Sequence, residues 1–79
     1  MEKESPTIAQ HDIYSVAYCA YKGIMVTLTK QDRRVIFHLP DNPDTYQLLA
    51  EFNNNPKLPL LDYIAYLRKL RAQMINLRG

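Results

Sequence analysis

The chain has 79 residues, of which 47% are hydrophobic and 23% are charged, and its formal net charge is +2 at pH 7. A chain of this length and composition forms one small globular domain, which excludes two domains and a disordered chain. Its charge is too small to indicate a nucleic-acid partner by itself, and no apolar run approaches the about 20 residues of a membrane-spanning helix.

The predicted organisation is a flexible N-terminal arm over residues 1–10 and a single small domain over residues 11–79. Pro6 and its polar neighbours present no periodic apolar face, which favours the arm. The charged opening residues lack the apolar centre of a secretory signal. Because one cysteine cannot form an internal disulfide, we expect a reducing, cytoplasmic setting.

The first predicted helix covers residues 12–22. Asp12 is a good N-cap because its carboxylate can accept a backbone N–H of the first turn, and Gly23 stands where helices commonly end. Residues 24–29 and 34–39 then alternate between apolar and polar side chains. The polar residues between these two segments predict an antiparallel hairpin.

Two further helices complete the predicted α+β domain. Asn42 can cap a helix that has Pro43 at its first position and that extends to about Asn53. The last predicted helix covers residues 60–77, where apolar side chains recur at alternating steps of three and four. The predicted order is therefore helix, antiparallel hairpin, helix and helix, with the last helix long.

The residue patterns favour a non-enzymatic protein without a cofactor. Cys19 lies in an apolar helical stretch, where a free cysteine usually packs as a small hydrophobe instead of acting as a nucleophile. With two glycines, the chain has no glycine-rich phosphate loop. A metal site would need three or four ligands from one group of candidates to converge, and we expect solvent-facing histidines instead. The candidates are His11, Asp12, His38 and Asp41.

Tyrosine and apolar side chains indicate a protein interface. Three tyrosines form a stripe on the first helix, and rings of this kind suit a protein core, a protein interface or stacking on unpaired bases. The candidate interface residues are Tyr14, Tyr18, Tyr21, Met25, Ile36, Leu70, Met74 and Leu77.

The sharpest charge asymmetry lies in the last helix. From residue 63 onward the chain has four basic residues and no acidic one. Cations there complement the helix dipole, and they can also pair with acids or contact nucleic-acid phosphates. The candidate phosphate contacts are Arg68, Lys69, Arg71 and Arg78.

We expect this chain to associate with itself. A two-stranded hairpin is marginal in water and leaves both edges unpaired, so two copies would gain by pairing hairpins or last helices about a two-fold axis. The leading hypothesis is a small interaction module that acts as a homodimer, with a further protein partner unidentified and no membrane contact. The alternative is a nucleic-acid-binding accessory protein that uses the basic last helix.

The segment from Asp12 to Gly23 has the pattern D-x-Y-x-x-A-Y-x-x-x-x-G. A strand containing Phe37 and a helix containing Leu67-Arg68 follow it. Over about residues 12–72 the chain resembles a family of short uncharacterised bacterial and phage-encoded domains. The resemblance implies a domain of unknown function and carries over no catalytic or binding residue.

Overall fold

The computed structural model describes residues 6–78, which form three strands and three helices. The α+β fold class is confirmed, and so is the long last helix. Within this part of the chain, no helix is long and apolar enough to cross a membrane. In chain order the elements are β1 (Thr7–Gln10), α1 (Ile13–Tyr21), β2 (Thr27–Gln31), β3 (Arg34–Pro40), α2 (Pro43–Asn53) and α3 (Leu60–Arg78).

The three strands form one antiparallel sheet in the order β1–β3–β2. Ile8 of β1 lies opposite Leu39 of β3, and Leu28 of β2 lies opposite Phe37 of β3. Side chains that oppose each other across an antiparallel pair share a face, and residues two apart on one strand share it too. These four apolar side chains therefore form the inner face of the sheet, which packs against the core.

The edge strand β1 was not expected from the sequence. The prediction of an arm over residues 1–10 is wrong for Thr7–Gln10, which pair with β3, whereas residues 1–5 lie outside the described part of the chain. The hairpin thus gains its third strand from its own chain. A second copy of the chain is therefore not needed to give the hairpin a third strand.

The predicted hairpin is confirmed, with a shorter turn than expected. Gln31 pairs with Arg34, so only Asp32 and Arg33 lie in the turn. Asp32 has a φ of 59°, in the left-handed region that Asp tolerates better than most residues. The first strand, β2, begins at Thr27 and not at residue 24.

Helix α1 is the central element of the core. Its predicted ends are confirmed, since the Tyr14 N–H donates to Asp12 Oδ1 at 3.1 Å and Gly23 follows the helix with a φ of 100°. Five consecutive residues, Ser15–Cys19, are buried. A helix buried around its whole circumference needs neighbours on every side. The sheet, α2 and α3 supply them.

Two tyrosine hydroxyls tie the other helices to α1. The Tyr18 Oη donates to Glu51 Oε1 of α2 at 2.9 Å, and the Tyr18 ring lies 5.8 Å from that of Phe52. The Tyr63 Oη of α3 donates to the Tyr14 carbonyl oxygen, also at 2.9 Å. The buried core cluster that results contains Val16, Ala17, Cys19, Phe37, Leu39 and Leu70.

Helix α2 begins as the sequence predicts. Asn42 is the N-cap and accepts a hydrogen bond from the Thr45 N–H at 3.0 Å, and Pro43 opens the helix. The Thr45 side chain is completely buried, and its Oγ1 has no hydrogen-bond partner among residues 6–78. A buried hydroxyl without a partner loses its hydration and gains nothing in return.

Replacing this hydroxyl with a methyl group should stabilise the fold. We expect Thr45→Val to raise the free energy of unfolding by about 1 kcal/mol, because valine has nearly the same shape and no polar group to desolvate. In a domain of this size that corresponds to a melting temperature higher by about 4–8 °C. Thermal unfolding followed by circular dichroism measures the change.

The matched control is Thr45→Ser, which keeps the hydroxyl and deletes the buried methyl group. It should lower the melting temperature, because it leaves a small cavity. A Thr45→Val protein less stable than the parent chain would show that Oγ1 has a hydrogen-bond partner in solution.

Candidate interaction surface

The outer face of the sheet is the face turned away from the core. In its middle row, Ala9, His38 and Thr27 lie side by side across the three strands. Thr29 lies opposite Ile36 in the next row. Ala9, Thr27 and Thr29 are exposed, while Ile36 and His38 on the central strand are half-buried.

The outer face carries apolar and polar groups in contact with each other. Thr29 Oγ1 lies 2.8 Å from His38 Nε2, which fixes the imidazole on the sheet surface. At one end of the face, Met25 is 78% exposed and borders a cavity of about 270 Å³ together with His38 and Pro40. The outer face thus combines one exposed apolar side chain with ordered polar groups, a mixture that protein interfaces also contain.

The opposite end of the outer face is basic. Here a cavity of about 580 Å³ is lined by His11, Gln31, Asp32, Arg33, Arg34 and Ile36. The two-residue turn places adjacent arginines at the tip of the hairpin. The outer face therefore runs from an apolar end at Met25 to a basic end at the hairpin tip.

The predicted tyrosine stripe lies inside the molecule for the most part. Tyr18 is buried, and Tyr21 packs edge-on against Tyr66 of α3 with the ring centroids 6.0 Å apart. Tyr14 is 50% exposed and remains accessible to a partner. The choice of Tyr18 as an interface residue is wrong for a surface of this chain, because α2 covers its ring.

The interface residues predicted on the last helix also include both buried and exposed side chains. Leu70 is buried and Met74 packs against the core, so neither is a free surface group. Leu77 is 37% exposed near the end of α3. Of the strand candidates, Met25 and Ile36 both lie on the outer face. The sequence-predicted interface residues are thus divided among the core, the outer face of the sheet and separate exposed positions on α1 and α3.

The predicted phosphate contacts are distributed along α3, and one of them, Arg78, borders a cavity. Arg68, Lys69 and Arg71 are exposed on α3, and Lys69 Nζ lies 5.1 Å above the Tyr66 ring. Arg78 lies instead at the hairpin end, on a cavity that Arg33 also lines. Sequence reasoning missed the two hairpin arginines because only the tertiary fold brings them to the end of α3.

The thiol of Cys19 is packed in the core, as the sequence predicts. Burial raises the pKa of this thiol to about 11, which suppresses the reactive thiolate at neutral pH. Within residues 6–78 no three His, Cys, Asp or Glu side chains come close enough to hold a metal ion.

Comparison of the chain with protein-family models, with curated proteins and with solved structures gives no match. The likeness to short bacterial and phage-encoded domains therefore stays a prediction.

The buried thiol should make the fold sensitive to alkaline pH. The pKa of Cys19 is about 11 in the folded chain against an ordinary value of 9.0. Unfolding releases the proton between these values, so this contribution to stability is complete below pH 9 and is lost as the pH rises through 11. The Tyr18 phenol, with a pKa raised to about 12 by burial and by Glu51, extends the loss to higher pH.

We expect urea unfolding at pH 11 to give a free energy of unfolding lower by about 2 kcal/mol than at pH 8. A Cys19→Ala protein should show a smaller difference between the two pH values. At pH 8 a thiol reagent should label the native chain far more slowly than the urea-unfolded chain. Equal labelling rates would contradict the burial of Cys19.

Proposed function

We propose that this chain is a small, non-enzymatic interaction module that works as a homodimer, with the outer faces of two sheets packed together. The observation that carries the proposal is the chemistry of that face, where exposed Met25 and half-buried Ile36 lie among threonines and His38. Covering such a face removes apolar surface from water. A sheet that carries helices on one face can pack its other face against a second sheet.

The dimensions of the outer face support a weak dimer. The seven residues of β3 span about 20 Å, and three strands span about 14 Å. A patch of this size covers about 280 Å² on each copy, which is below the range of stable specific interfaces and is typical of a weak, transient contact. The proposed dimer is therefore weak and depends on protein concentration.

The charge distribution along β3 favours one arrangement of the two copies. Arg33 and Arg34 lie at one end of the strand, and Asp41 and Asp44 follow its other end. A two-fold axis across the strands makes the facing strands antiparallel and brings the basic end of each copy near the acidic end of the other. An axis along the strands would instead bring like charges together.

The non-enzymatic part of the proposal is supported by the state of the one cysteine. Cys19 is fully buried and its pKa is raised, so it is unsuited to nucleophilic catalysis. A single reduced cysteine also accords with a cytoplasmic protein, which is part of the proposal.

The homodimer is tested by Ile36→Glu, which places a charge at the centre of the outer face. Light scattering of the parent chain should give a mass that rises with concentration from 9.2 kDa towards twice that value. The Ile36→Glu protein should remain at the monomer mass, because the dimer would bury an unpaired carboxylate. The control is Ala50→Glu, an equal charge change at an exposed position of α2, which should dimerise as the parent chain does.

A second control addresses the alternative route through α3. Leu61 is 79% exposed on that helix, and Leu61→Glu should leave the dimer intact. If Leu61→Glu dissociated the dimer and Ile36→Glu did not, the result would show that the interface lies on α3. A parent chain that stays at 9.2 kDa up to millimolar concentration would overturn the proposal.

A further inference from the structure

A second surface lies at the junction of the hairpin tip and the C-terminal end of α3. A cavity of about 410 Å³ is bordered there by His11, Arg33, Arg34 and Arg78. Its apolar lining comes from Val35 and Met74. Within the described residues, no acidic side chain lines this cavity. Three arginines, from the turn, from β3 and from α3, therefore border one space.

A hydrogen bond from β2 to the backbone of α3 joins the end of this helix to the hairpin. Lys30 Nζ donates to the Arg78 carbonyl oxygen at 3.3 Å, which joins β2 to the last turn of the helix. This contact satisfies a carbonyl that the helix itself leaves without a partner. The same contact places the Lys30 ammonium next to the backbone of Arg78.

The positive surface continues along the helix. Arg71 precedes Arg78 by seven residues, which places the two side chains on the same side of α3 and about 10 Å apart. We use the name basic track for His11, Lys30, Arg33, Arg34, Arg71 and Arg78. A track of this kind suits an extended polyanion better than a single small anion, because its charges are distributed along a line.

We infer that the basic track binds the phosphate backbone of double-stranded nucleic acid without regard to sequence. Guanidinium groups match phosphate oxygens with two parallel hydrogen bonds, and arginine makes up most of the track. The lining residues of the cavity include no tyrosine or phenylalanine ring. Recognition of unpaired strands relies on such rings for stacking, so a duplex is the better fit.

Fluorescence anisotropy with a labelled duplex of about 20 base pairs tests the inference, with binding measured over a range of salt concentrations. We expect Arg78→Glu to weaken binding about tenfold and to lower the slope of log affinity against log salt by about one. Arg71→Glu should act in the same direction. Because both positions are exposed, circular dichroism should show an unchanged fold.

The matched control is Lys57→Glu, which makes the same change of charge beyond the opposite end of α3. This helix has 19 residues and is about 27 Å long, so Lys57 lies far from the track. We expect Lys57→Glu to change the affinity less than about twofold. An equal loss for Lys57→Glu and Arg78→Glu would overturn the inference, because binding would then follow net charge alone.

Two further outcomes would also overturn it. One is tighter binding of a single strand of the same length than of the duplex. The other is displacement of the duplex by poly-glutamate at equal charge concentration, which would indicate an acidic protein as the ligand. The light-scattering mass of Arg78→Glu should match that of the parent chain, so the nucleic-acid test and the homodimer test can fail independently.

Discussion

The fold depends on the burial of the central turn of one short helix. Helix α1 has nine residues, and the five from Ser15 to Cys19 are withdrawn from water. The Ser15 hydroxyl donates to the Asp12 carbonyl oxygen at 3.1 Å, so this buried polar side chain is satisfied locally. One packing neighbour covers only part of a helix circumference, and the sheet, α2 and α3 are all needed. The architecture of the chain follows from this requirement.

The sequence identifies α1 and the apolar character of most of its surface, but not the neighbours that cover it. A tyrosine stripe beside an apolar face predicts two contacts, the core and something else. In the structure the second contact is made within the chain, by Tyr18 with Phe52 and by Tyr21 with Tyr66. The spacing of apolar residues along a helix predicts how much of the helix surface is buried. It does not distinguish a neighbour in the same chain from a neighbour in another chain.

Strand β1 shows a second limit of local patterns. Only Ile8 in this four-residue strand has a strong preference for extended structure and an inward position, and such a segment looks like an arm. Its pairing with β3 decides its conformation, and Leu39 lies about 30 positions further along the chain. The hairpin arginines were missed for the same reason. The roles of Asp12, Asn42 and Gly23 could be predicted because a capping residue interacts only with the end of its own helix.

The two proposed surfaces share the hairpin tip, because Arg33 and Arg34 border both the outer face and the basic track. If two outer faces pack together, the helices of both copies form the two outer layers of a four-layer arrangement, and the sheets form the two inner layers. Arg71 and Arg78 belong to the outer helical layers, whereas Ile36 lies between the two sheets. A dimer of this form would leave the helical part of each basic track, Arg71 and Arg78, exposed on opposite sides. Binding of one long duplex by both tracks would require the duplex to bend, so the arrangement is better suited to holding two separate duplex segments near each other.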